Sequence, residues 1–212
     1  MNIEQIGFDR FQRFKAAAEL IEELAQGRRL SVLDVGGWDE AFAGFLPGHE
    51  VIAYEGQVTP AAPLAKPPRS MDVVLALDVL EHVPPEERRF FLAELARVCG
   101  LACIIGFPIK SAAKAEEFVL DLTKSAWLAE HQKHGLPDPA EIEGIFKDLG
   151  LAFIRHPNAC LPSWTAMMLL MYGVQEEGPR REINRFFNEN YYLLENREPA
   201  YRYIYMCRPA AR

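Results

Sequence analysis

Asp34, Gly36 and Gly37 close a short apolar run, Leu30-Ser31-Val32-Leu33-Asp34-Val35, and Glu55 follows about twenty residues later at the end of a second apolar run. Adjacent glycines let the backbone turn at positive φ and approach a ligand with no Cβ in the way. A carboxylate at the second run's end suits a nucleoside ribose, because one carboxylate accepts hydrogen bonds from both vicinal hydroxyls. A dinucleotide is a poor fit. Gly36-Gly37-Trp38-Asp39-Glu40-Ala41 lacks the G-x-G-x-x-G pattern that seats a pyrophosphate on a helix N-terminus. Asp34, Asp39 and Glu40 would repel a pyrophosphate and favour a ligand with an ammonium or sulfonium group.

These residues need elements to hold them. Val32 to Val35 is too short for a helix, carries β-branched residues and ends at Gly36, as a strand buried on both faces does. Val51-Ile52-Ala53-Tyr54, Met71 to Leu77 and Leu101 to Phe107 read the same way, and Leu151 to Ile154 and Tyr201 to Met206 are further strands. Phe11, Phe14, Ala18, Ile21 and Leu24 recur at helical spacing before Gly27, giving an amphipathic helix ahead of the first strand. Ala41 to Leu46 makes a short helix, and Pro84-Pro85-Glu86-Glu87 opens a longer one whose Phe91, Leu92, Leu95 and Val98 face inward. A helical stretch follows from Ile109 through Trp127. Asp138-Pro139-Ala140-Glu141 then caps a helix carrying Ile142, Ile145, Phe146 and Leu149, and further helices are expected near Ser163 to Tyr172 and Arg181 to Leu194. Pro60, Pro63, Pro67 and Pro68 leave little room for a regular helix and strand between residues 57 and 70, so that crossover is irregular. Apolar strands alternating with helices predict a mostly parallel sheet with helices on both faces, whose ligand sits beyond the carboxyl ends of the strands. Gly36-Gly37, Glu55, Asp78 to His82 and Pro108 all fall at those ends.

A chain of 212 residues, 50% hydrophobic and 25% charged, suits one domain with a sizeable core. A net charge of −7 and no basic stripe argue against nucleic acid as a partner. Cys99, Cys103, Cys160 and Cys207 match no common zinc spacing and read as buried free thiols of a reducing compartment. No signal peptide is expected from Met1-Asn2-Ile3-Glu4-Gln5, and residues 159–174 fall short of the roughly 20 apolar residues that span a bilayer. A cytoplasmic protein is expected, with no membrane partner.

Val32-Leu33-Asp34-Val35-Gly36-Gly37, then Glu55, then Met71-Asp72-Val73-Val74-Leu75-Ala76-Leu77-Asp78-Val79-Leu80-Glu81-His82-Val83-Pro84 resemble the successive motifs of the class I S-adenosylmethionine-dependent methyltransferases. The D-V-L-E-H-V run after an apolar strand is the most specific part, and residues 30–108 carry the likeness best. The resemblance implies an α/β three-layer sandwich around a seven-stranded, mostly parallel Rossmann-like sheet. Its last strand runs antiparallel between its neighbours, and here its third strand is shortened or missing. It implies one domain: an N-terminal helix over 1–29, a cofactor-binding half over 30–108 and a substrate-side part over 109–212. S-adenosylmethionine would be the cofactor and S-adenosylhomocysteine the product. Asp34, Gly36 and Gly37 would hold its methionyl end, Glu55 the ribose, and Asp78 and Val79 would line it near the sulfonium. The chain departs from the family where Trp38 and Glu40 replace glycines of the usual loop, and where the short crossover removes the acid that reads the adenine amino group.

The reaction implied is methyl transfer to an oxygen or nitrogen of a small-molecule acceptor. A hydroxyl acceptor needs a base, and His82 and His131 are the candidates, because imidazole titrates near neutral pH. Glu130-His131-x-x-His134 reads as a substrate-side loop, with no metal expected. Residues 110–137 and 159–197 should cover the strand ends and choose the acceptor. Met167-Met168-Leu169-Leu170-Met171 is read first as buried core, with a homodimer surface or an apolar acceptor wall as alternatives. The competing functional reading is a degenerate methyltransferase-like domain that binds or scaffolds without catalysis.

Overall fold

The computed structural model describes residues 6–37 and 41–209. Trp38, Asp39 and Glu40, on which the altered glycine loop turns, lie outside the described residues.

In chain order the strands are β1 (Ser31–Val35), β2 (Glu50–Tyr54), β3 (Met71–Leu77), β4 (Cys99–Pro108), β5 (Leu151–Cys160) and β6 (Ala200–Pro209). The α-helices are α1 (Phe8–Ala25), α2 (Pro85–Val98), α3 (Ala113–Thr123), α4 (Ala126–His131), α5 (Pro139–Asp148), α6 (Leu161–Gly173), α7 (Glu177–Asn190) and α8 (Tyr192–Glu195). The strands form a single sheet in the order β2-β1-β3-β4-β6-β5. β2, β1, β3 and β4 run parallel, and β6 lies antiparallel between β4 and β5.

Both faces of the sheet's centre are dry. Leu33, Val35, Val74, Ala76, Cys103, Ile105 and Phe107 point to the side covered by Phe91, Leu92 and Leu95 of α2 and by Ile142 and Phe146 of α5. Val32, Val73, Leu75, Leu77, Ala102 and Ile104 face Phe14, Ala17, Ala18 and Ile21 of α1, with Phe42 from the 3-10 turn Ala41–Phe45. This two-sided burial is why the strands read as continuous apolar runs rather than alternating ones. A third cluster, including Ala112, Val119, Leu128, Trp164 and Tyr201, joins α3, α4 and α6 to the start of β6.

The sheet has six strands among the described residues, not seven, and the absent one is the third. Residues 57–70 form neither helix nor strand, only a Thr59–Ala62 bridge, so β2 is left as an edge. The four prolines forbid the ladder, and a side-chain pair takes its place. Glu94 accepts from the Leu64 N–H at 3.1 Å, while Arg97 donates to the carbonyls of Lys66 and Leu64 at 2.8 and 2.9 Å. Buried Val58 and Leu64 complete the anchor.

β5 is ten residues long rather than the four expected. Among the described residues it pairs only with β6, at the sheet's edge, where polar residues and Pro157 are tolerated and the apolar signal fades. The helical stretch after Ile109 is broken by Lys124 at φ 54, and Ser125 caps α4 by accepting from the Leu128 N–H. The methionine-rich α6 is core on one face only: Trp164 and Met167 are buried, but Leu170 is 41% exposed. All four cysteines are buried and free. No helix among the described residues is long and apolar enough to cross a membrane.

Candidate active site

β1 ends in a turn that only glycine fits comfortably. Gly36 has φ +89, and a Cβ there would lie 2.5 Å from Val79 Cγ2; one on Gly37 would lie 2.4 Å from Asp34 Oδ2. The Gly36 N–H donates to the Tyr54 carbonyl at 2.9 Å, which ties this turn to the end of β2, where Glu55 is exposed. From β3 comes Asp78, at φ 53, its N–H donating to the Gly106 carbonyl at 2.8 Å. A left-handed aspartate at a strand end is a strained position of the sort found at functional sites.

These strand ends enclose a cleft of about 300 Å³. Asp34, Gly36, Gly37, Asp78, Val79 and His82 line it, facing Arg10, Arg13 and Phe14 of α1 and Trp127 of α4. Glu55 stands outside that lining, at the adjoining end of β2, and His131 is buried behind it. A second cavity of about 780 Å³ shares Arg10, Arg13 and Trp127 with the cleft and extends over Met167, Met168 and Met171 of α6 to Arg180 and Arg181 of α7. The methionine run is thus a cavity wall, with an apolar floor and a rim carrying arginines.

The electrostatic centre of the site is a residue that the sequence did not single out. Arg202 of β6 is fully buried and donates to both Asp78 oxygens, from Nε to Oδ1 at 3.0 Å and from Nη2 to Oδ2 at 2.8 Å. Nη2 also reaches Asp9 Oδ1 at 2.6 Å, and Nη1 reaches Asn158 Oδ1 at 3.3 Å. Arg13 bridges the same two acids, at 2.6 Å to Asp9 and 3.4 Å to Asp78. Trp164 donates its indole N–H to Asp9 at 3.0 Å. Burial alone would raise the Asp9 pKa, but Arg202 and Arg13 outweigh it and hold the carboxyl below its ordinary value. Burial likewise works against the Arg202 charge, and Asp78 with Asp9 more than restores it. The local signal for Arg202 was slight, a lone cation in an otherwise apolar and aromatic strand.

Behind His82 lies a second polar cluster. The His131 ring is 5.1 Å from that of His82 and 4.7 Å from that of Trp127, edge to face in both cases. His131 Nδ1 lies 2.9 Å from Glu116 Oε1, which also accepts the Tyr201 hydroxyl at 2.6 Å. On the other side, His131 Nε2 is 3.8 Å from Glu81 Oε1. Glu81 is fully buried, and among the described residues neither of its side-chain oxygens, nor His131 Nε2, has a hydrogen-bond partner. Burial pushes the Glu81 carboxyl well above its usual range, with the Asp78 charge adding to the effect. The His82 pKa is lowered, first by burial and then by His131. One donor atom from each of Glu81, His82 and His131 lies within 4.8 Å of the others, a set that could hold a metal ion. The Glu130-His131-x-x-His134 spacing does not itself build this cluster: Glu130 sits 4.0 Å from His82, and His131 turns to Glu81.

No protein-family model and no curated protein matches the sequence. Solved structures do match the fold. The plantazolicin methyltransferase BpumL, in complex with a triazolic desmethylPZN analog and SAH, superposes with a TM-score of 0.57 at 11% identity, over 97% of this chain and 86% of that one. A SAM dependent methyltransferase from Archaeoglobus fulgidus gives 0.50 at 18% identity, over 93% and 94%. A putative sarcosine dimethylglycine methyltransferase from Galdieria sulphuraria gives 0.50 at 13% identity, over 94% and 85%. With its six-stranded sheet, reversed β6 and cleft beyond the parallel strand ends, the chain has the fold of the S-adenosylmethionine-dependent methyltransferases.

Proposed function

We propose that the chain is a methyltransferase that uses S-adenosylmethionine and acts on a small-molecule acceptor. The observation that carries this reading is the cleft in which Asp34, Gly36, Gly37, Asp78 and Val79 come together from two strand ends and open toward the larger cavity. The fit is chemical as well as spatial. The Cβ-free turn leaves room for close backbone approach, the acidic Asp34 beside it suits an ammonium, and the cleft volume falls at the lower end of small-molecule sites. The fold is shared with BpumL, whose structure holds SAH, which supports the choice of cofactor.

When bound, S-adenosylmethionine supplies an electrophilic methyl group on sulfur, and displacement by the acceptor leaves S-adenosylhomocysteine. Asp34, Gly36 and Gly37 take the methionyl end, and Glu55 accepts from the ribose hydroxyls. Val79 and the Asp78 backbone shape the wall near the sulfur, since both Asp78 oxygens are already engaged by Arg202. Trp127, shared between cleft and cavity, separates cofactor from acceptor and limits water at their junction. Alignment of the acceptor is the main contribution, worth up to about 7–11 kcal/mol when orientation is complete. His82 lines the cleft with its imidazole pKa lowered, first by burial, and while its ring is unligated it is the group placed to take a proton from a hydroxyl or amine acceptor.

Calorimetric titration with S-adenosylhomocysteine tests the reading. Binding is expected, with stabilisation of about 2.7 kcal/mol at a hundredfold excess over Kd. Absence of both heat and thermal stabilisation at millimolar ligand would overturn it. Glu55→Ala should weaken binding by roughly 1.5–3 kcal/mol with the fold intact, the value of charge-assisted hydrogen bonds. Unchanged affinity in that variant removes Glu55 from the ribose.

A further inference from the structure

We propose that Glu81, His82 and His131 form a binding site for a divalent first-row transition-metal ion, set in the wall between the cofactor cleft and the protein interior. The argument starts from the atoms left without partners. His131 Nδ1 faces Glu116 Oε1, a carboxylate that already accepts the Tyr201 hydroxyl, so Nδ1 carries a proton, and in the neutral ring Nε2 presents a lone pair. That lone pair points toward Glu81, whose two oxygens are also unpaired and wholly buried. Polar atoms left without partners in a dry interior are costly unless something lies between them that they can bind.

The 3.8 Å separation of His131 Nε2 from Glu81 Oε1 is too long for a hydrogen bond. It lies within the span of two ligands of one cation, because donors at ~2.0–2.2 Å from a zinc ion stand at most about 4.4 Å apart. His82 is partly exposed on the Leu80–His82 turn, and its ring nitrogen lies within 4.8 Å of the other two donors. Glu116 supplies the outer support that ligating histidines require, fixing tautomer and ring orientation through Nδ1. Two imidazoles and one carboxylate select borderline ions such as zinc over magnesium or calcium, which take oxygen ligands. Three protein ligands leave a position open, and His82 places it at the cleft. There the ion would bind the acceptor's heteroatom and favour its deprotonated form, a role that rests on the methyltransferase reading, whereas the site itself does not.

The test uses the full chain, stripped with chelator and dialysed, then titrated with Co²⁺ followed by visible absorption and with Zn²⁺ followed by thermal shift. One ion per chain is expected, with a raised melting temperature. His82→Ala, whose side chain is the least buried of the three and safest for folding, should weaken binding at least 10-fold, and Glu116→Gln by about 10–100-fold. His134→Ala, close in sequence but outside the cluster, should leave binding unchanged. No stoichiometric uptake by folded protein, or affinity insensitive to both His82→Ala and Glu81→Gln, would overturn the site. S-adenosylhomocysteine titrated into the metal-free and metal-loaded chain keeps the two readings apart. Its binding without any metal uptake sinks only the metal site, and metal uptake without its binding sinks only the proposed function.

Discussion

Arg202→Met should lower folding stability by about 3–5 kcal/mol, the cost of stranding buried charges that had a partner. Asp9 and Asp78 belong to elements far apart in sequence, α1 and the end of β3, and both give up solvent to meet the guanidinium. Methionine fills much of the arginine's volume but offers no donor. Arg13 remains within 2.6 Å of Asp9 and 3.4 Å of Asp78, yet one cation cannot replace the two bonds that Arg202 makes to Asp78. The midpoint of urea unfolding at pH 7 measures the effect, and a change below about 1 kcal/mol would show that Arg202 does not hold the two elements together. Combining Arg202→Met with Asp78→Asn should recover part of the loss, since Arg13 and Asp9, 2.6 Å apart, then remain as a matched pair and no acid is left stranded. Acid acts on the same network. Because the folded Asp9 pKa lies below its unfolded value, its contribution is complete above about pH 3.9 and is lost as pH falls through the folded pKa. Asp9→Asn should therefore flatten the acid limb of the stability profile while lowering stability at neutral pH.

Gly36→Ala should abolish useful cofactor affinity, with a loss of 10²-fold or more, about 2.7 kcal/mol. Two penalties coincide at this position. A residue with a side chain at φ +89 is strained by about 1–3 kcal/mol, and the added methyl would stand 2.5 Å from Val79 Cγ2. Relief requires moving either the turn or Val79, and both line the cleft. Gly27→Ala is the comparison that separates the two penalties. Gly27 has φ +80 with nothing within 4 Å of the added carbon, so it should lose stability without losing affinity. S-adenosylhomocysteine titration and melting temperature distinguish the outcomes. Gly36→Ala with normal affinity would show that this turn does not shape the site.

The strands most legible in the sequence were those buried on both faces. Val32, Leu33, Val73, Val74 and Leu75 are all fully buried, so their apolar runs carried an unmixed signal. The proline-rich crossover was legible for the opposite reason, since ring geometry and missing N–H groups exclude regular structure whatever the context. β5 was read too short because an edge strand has little burial to advertise. Arg202 escaped because its meaning lies in Asp9, 193 residues away, and no local pattern reports such a pairing. Glu81 was visible as one letter of a recognisable motif. Its complete burial, and its meeting with a histidine from α4, arise only when the turn after β3 packs under the helices that follow β4.

The insertion of β6 between β4 and β5 also bears on how the chain reaches this state. Among the described residues β5 has no neighbour except β6, so residues 151–160 have no place in the sheet until residues 200–209 are available. The side of β4 that finally meets β6, apolar from Cys103 to Phe107, stays uncovered through the same interval. A chain emerging from the ribosome would hold four parallel strands with an open, sticky flank, the kind of species that holdase chaperones recognise. Closure then depends on contacts across long loops, which form slowly whatever their final strength. For this topology β6 is the strand whose arrival completes the sheet.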